Sequence, residues 1–227
     1  LMGLFRLNVQ LDPRQRYDST LLQQLTPRAI LYVADYERKK RLAFAEEAWN
    51  QLLINYPTDD ATIVAFMRLA DVTAEKADLA GALNYLEQIV SQFPGSPKIP
   101  VVMLRQGELL SEMGRASEAR EKYQYILRVP EWRGILHARA LYQIGESYMA
   151  EDAYAKAHGF YERTFLGYPH LAEWSARAYL ADAKALIGMG EKQDAINTLN
   201  EAVAEISAIA PTDVMKSIKA KLKELQG

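Results

Sequence analysis

Apolar and polar positions recur along this chain with two different periods. Between residues 5 and 11 the period is two, which places Phe5, Leu7, Val9 and Leu11 on one face of a strand. Asp12-Pro13 ends it, because proline has no N–H to give to a ladder. Two readings of this segment stand: the frayed remnant of an upstream domain, or an edge strand that pairs with a partner. From about Thr26 the period becomes helical. Five alanines, Ala45, Ala82, Ala119, Ala157 and Ala195, follow one another at intervals of 37, 37, 38 and 38 residues. Four residues after each comes a bulky side chain: Trp49, Leu86, Tyr123, Tyr161 and Leu199. A small residue lets two helices cross closely, and a large one a turn later fills the space beside it. A fixed period of this length signals helix pairs stacked as a solenoid.

The register predicts helix pairs at 27–41 and 43–56, 61–76 and 78–93, 98–113 and 115–129, 134–150 and 153–168, and 172–189 and 191–209. Asp78 is placed to cap its helix, Gly114 and Gly190 to close theirs in the left-handed conformation, and Pro97 and Pro100 fit only an opening turn. A last amphipathic helix carries the stripe Val214, Ile218, Leu222 and Leu225. Lys216, Lys219, Lys221 and Lys223 face water, and Thr212 stands as the cap. The expected organisation is an N-terminal extension, 1–25, with a strand at 4–11. Five repeats follow within 26–211, at about 26–57, 63–94, 100–131, 138–169 and 176–207, and then a capping helix, 212–227.

Composition narrows the function. The chain has 227 residues, 49% hydrophobic and 25% charged, as a folded protein does. Its 27 basic and 29 acidic residues interleave to a net charge of −2, which argues against a nucleic-acid footprint. No apolar run is long enough to span a membrane. The lack of cysteine removes disulfides, cysteine-bound metal and thiol catalysis. Starting at Leu1 without a basic-then-apolar leader, the chain reads as a processed or excised piece of something longer. His137, His158 and His170 form no i, i+4 metal pair, and neither a glycine-rich phosphate loop nor a G-x-S-x-G elbow occurs. Glu46-Glu47 and Asp59-Asp60 are neighbours that do not face each other. The expectation is a non-enzyme with no cofactor and no metal.

Laid out in this way, the repeat resembles the tetratricopeptide repeat, or TPR. The fourth copy carries Leu141, Ile144, Gly145, Tyr148, Ala157, Tyr161 and Pro169, and the third Met103, Gly107, Leu110, Gly114, Ala119 and Tyr123. The period exceeds the standard 34. The resemblance implies an all-α, right-handed superhelical solenoid of about five helix pairs, with a concave groove along the first helices for a partner peptide or helix. Counted on the register, one row of that groove is Ile30, Met67, Leu104, Tyr142 and Leu180, an apolar row whose other reading is that it is partly core. A second row is Arg68, Arg105 and Gln143, and a third is Asp71, Glu108 and Glu146. Arg68 with Asp71 and Arg105 with Glu108 are also i, i+3 pairs. The lysine–asparagine clamp of chaperone-tail binders is not preserved, its positions being Ile30, Ala34 and Arg68. The endings Tyr56-Pro57, Phe93-Pro94 and Tyr168-Pro169 resemble bacterial envelope TPR proteins of the outer-membrane assembly lipoprotein and Tol–Pal coordinator types. They suggest a periplasmic or envelope location, with the cytoplasm as the alternative. The expected function is a non-catalytic scaffold for a protein or peptide partner. The competing readings are a structural spacer or homo-oligomerising module, and a regulatory domain of a larger protein.

Overall fold

Among the described residues the helical period is realised as five consecutive helix pairs and a last single helix. The computed structural model describes residue 22 and residues 25–227. The pairs are α1 (Pro27–Glu37) with α2 (Leu42–Asn55), α3 (Asp60–Glu75) with α4 (Leu79–Gln92), α5 (Ile99–Glu112) with α6 (Ala116–Arg128), α7 (Ile135–Met149) with α8 (Tyr154–Gly167), and α9 (Ala172–Gly188) with α10 (Lys192–Ile206). The last helix is α11 (Thr212–Gln226). The expected strand at 4–11 lies outside the described residues.

Local chemistry sets the helix ends. Thr26 accepts from the Ala29 N–H ahead of Pro27, Asp59 caps α3 through the Ala61 N–H at 2.8 Å, and Asp78 caps α4 through the Gly81 N–H at 2.8 Å. Thr212 does not cap α11. Pro211 holds that place, and Thr212 is already helical. Within the later pairs one turn geometry recurs. Its left-handed residue is Ala77 (φ 64°), Gly114 (73°), Asp152 (54°) or Gly190 (85°). The next N–H returns to the helix end, as in Arg115 to the Leu110 carbonyl at 2.8 Å and Glu191 to that of Leu186 at 2.9 Å. The third pair ends differently. Where Tyr56, Phe93 and Tyr168 stand eleven residues after their alanine, this repeat has Pro130, and the chain makes a 3-10 turn, Pro130–Trp132, that the periodicity did not predict.

The described residues fall into two compact units that divide between Val102 and Met103. In the first, Ala45, Trp49 and Leu52 of α2 pack with Ile30, Ala34, Ala65 and Leu69. In the second, Ala157, Tyr161 and Phe165 share a core with Ala178, Tyr179, Ala195 and Leu199. All five landmark alanines are 0% exposed and their bulky companions at most 1%. The reason is steric. A Cβ on Gly107 would lie 2.4 Å from the Tyr123 ring, and one on Gly145 2.5 Å from the Tyr161 ring, so each tyrosine lies directly on the backbone of its first helix. Where the companion is Leu86 or Leu199, the residue in that register is a buried alanine, Ala70 or Ala183.

Helix α11 packs on α9 and α10 and buries Met215, Ile218 and Leu225, with Val214 and Leu222 half-buried. Lys216, Lys219 and Lys223 face water, but Lys221 does not: it is half-buried and bridges Glu224 at 2.7 Å. Among the described residues no helix is long and apolar enough to cross a membrane.

Candidate partner-binding surface

In the first unit, α3 presents Met67, Arg68 and Asp71. Met67 is half-buried. Arg68 does not take Asp71 as its hydrogen-bonded partner; its Nε and Nη2 donate to the two Asp35 oxygens on α1 at 3.1 and 3.0 Å. The Asp35 hydrogen bond, with the nearby Asp71 charge, raises the guanidinium pKa above its already high value. This fork ties α3 to α1.

The second unit gathers more. Leu104 of α5 is 1% exposed, so it packs inside instead of lining a surface. The neighbouring charges form a chain. Arg105 meets Glu108 at 3.3 Å, as the i, i+3 spacing predicts, and Glu112 at 3.6 Å; Glu108 also receives Arg139 of α7 at 2.9 Å. Arg139 and Arg177 both stack on Trp174, 5.3 and 5.5 Å from its ring centroid. Tyr142 packs against the same indole at 5.8 Å and against Tyr161 at 5.7 Å. Arg177 is tethered to Glu173 at 2.9 Å, and the buried Arg139 Nε has no hydrogen-bond partner.

The Tyr161 hydroxyl donates to Glu146 Oε1 at 2.6 Å. Burial first, then the Glu146 carboxylate, raises the Tyr142 hydroxyl well above its ordinary range, so it stays a neutral donor. Tyr142, Glu146, Leu180 and Lys184 line an open pocket of about 270 Å³ that Val214 and Ser217 of α11 close on one side. The structure therefore brings Tyr142 and Glu146 together with the register-equivalent Leu180 and Lys184, whereas Gln143 is half-buried and does not line the pocket. Counting from the alanines missed Arg139, Trp174 and Arg177. The signal was present: Arg139 and Arg177 stand three positions before Tyr142 and Leu180, 38 residues apart.

This arrangement suits recognition: an aromatic platform, two guanidinium groups, a carboxylate and a neutral phenol can meet a polypeptide's side chains and backbone. The histidines are dispersed. His137 is buried against the Val129 carbonyl at 3.1 Å, His158 pairs with Asp182 at 2.7 Å, and His170 is exposed. Among the described residues no three His, Asp or Glu side chains converge to hold a metal.

Comparison with known proteins points one way. A family model described as tetratricopeptide repeat-like domain matches residues 14–131. No curated protein matches the sequence. Among solved structures, the MamA protein is similar over 79% of this chain and 91% of its own, at 19% identity and a TM-score of 0.62. PilW, a widely conserved type IV pilus biogenesis factor, is similar over 88% and 90%, at 15% identity and a TM-score of 0.62. The C-terminal part of a TPR repeat-containing protein from Cytophaga hutchinsonii is similar over 86% and 78%, at 17% identity and a TM-score of 0.63. At these identities the likeness is one of fold.

Proposed function

Since this chain belongs to the tetratricopeptide repeat-like family, whose repeats serve as protein-interaction modules, we propose that it is a scaffold that seats a partner segment along α7 and α9. The observation that carries this reading is Trp174 with the Arg139 and Arg177 guanidinium groups over its ring and Tyr142 against it, beside an open pocket. Tryptophan, tyrosine and arginine are the residue types that dominate binding energy at interfaces. In the second unit Arg105, Glu108, Gln143 and Glu146 extend the candidate surface, while buried Leu104 supports it from inside; in the first unit Met67, Arg68 and Asp71 form a candidate surface of their own. The setting we favour is a bacterial envelope complex. Its support is the Tyr-Pro and Phe-Pro repeat endings, together with the role of the similarly folded PilW in pilus biogenesis.

Photo-crosslinking residues placed at Arg177 and Lys184 should trap one common partner from native cells, and the same residue at exposed Glu121 of α6 should not. Arg177→Ala should then weaken capture of that partner about tenfold, or about 1.4 kcal/mol, with an unchanged melting temperature. Crosslinks confined to α6 would overturn the assignment.

A further inference from the structure

Helix α11 continues the repeat register onto a surface that the other pairs bury. A step of 37 residues carries Ala178 to Met215, Ala181 to Ile218 and Ala185 to Leu222. These six side chains all belong to the apolar cluster that joins α9, α10 and α11. The same step carries Tyr179 to Lys216, Asp182 to Lys219, Ala183 to Ala220 and Leu186 to Lys223. In α9 those four residues are buried. Ala183 holds the register of Gly107 and Gly145, the positions on which a second-helix tyrosine lies. In α11 the corresponding four are all exposed. Ala220 thus stands in the register of the small residue at which helices of the repeats cross, with Lys216, Lys219 and Lys223 close to it along α11.

An apolar helix of the repeat's own kind is unsuited to this place, since it would strip water from three ammonium groups. Among the described residues none of the three lysines forms an ion pair. Their long stems can flank a crossing helix while their heads stay at its edges. We propose that this face of α11 is a docking site for an acidic amphipathic helix of a partner protein, which crosses at Ala220 and sets glutamates or aspartates against Lys216, Lys219 and Lys223. Such charge pairs chiefly set specificity and association rate. This surface is separate from the one proposed on α7 and α9, and the two can fail independently. An anionic lipid surface would also attract the lysines, but it has no use for a small residue at position 220.

The test uses the full chain and a synthetic amphipathic peptide with an alanine stripe flanked by glutamates, with anisotropy as the readout at low salt. The peptide should bind, and the variant with lysines in place of its glutamates should not. The triple change K216E/K219E/K223E should weaken binding about tenfold or more. Ala220→Trp, a change at an exposed position, should weaken it comparably without altering helicity or melting. Three results would overturn the proposal: no binding of the glutamate peptide, binding indifferent to Ala220→Trp, or lysine-dependent binding only to phosphatidylglycerol vesicles.

Discussion

At the scale of single residues, the fold rests on matched sizes. Tyr161 lies on Gly145 so closely that a Cβ there would sit 2.5 Å from the ring, whereas the repeats with a leucine companion carry alanine in the same register. Gly145→Ala should therefore cost about 1–3 kcal/mol by overpacking. In a Tyr161→Leu background the same change should cost little, a coupling that a double-mutant cycle of denaturant melts can read; strict additivity would contradict the register. A second residue-scale expectation concerns His158 and Asp182, linked at 2.7 Å with Asp182 1% exposed. Burial raises the Asp182 carboxyl to about 6. For His158, burial lowers the pKa, but the Asp182 hydrogen bond and charge, with Glu162 and Glu191, outweigh it and the net shift is upward. The folded state thus keeps the imidazolium proton to higher pH than the unfolded chain. Its stabilisation is full below the unfolded value of about 6.5 and fades as pH rises through the folded one. The stability gap between the native protein and His158→Gln should be largest near pH 6 and shrink toward pH 9, as urea melts across that range will show. A gap that widens with pH would contradict this.

At the scale of elements, what the sequence made legible was whatever repeats. The alanine frame, the Asp78 cap and the left-handed turns at Gly114 and Gly190 are local, periodic features, and they stand where the pattern places them. Features that depend on one neighbour are not legible in that way. Arg68 had a carboxylate three residues on, yet it forks onto Asp35, 33 residues away, because only the packing of α1 against α3 decides which acid is in reach. The 3-10 turn at Pro130 arises where one repeat loses its aromatic ending. On α11 the apolar stripe sits rotated from its counted position, with Met215 buried and Val214 only partly so. Ile218→Ala should accordingly lower stability by about 2–5 kcal/mol. Its neighbour Lys219→Ala should stay within about 0.5 kcal/mol. Thermal melts of the two variants distinguish a packed helix from a loosely attached one.

At the scale of the whole molecule, equivalent positions of the register do not share one environment. Tyr142 and Glu146 stand where the count puts them, but Leu104 in the same row is interior, because equivalent positions in different pairs meet different neighbours. The aromatic and guanidinium cluster around Trp174 emerges only when α7 and α9 are packed together. The central claim is that a partner lies on that cluster, and hydrogen–deuterium exchange of the protein with and without its crosslinked partner tests it most directly. The account predicts added protection across residues 139–146 and 174–184, with α8 and α10 unchanged. Protection confined to α8 and α10, or to residues below 103, would contradict it.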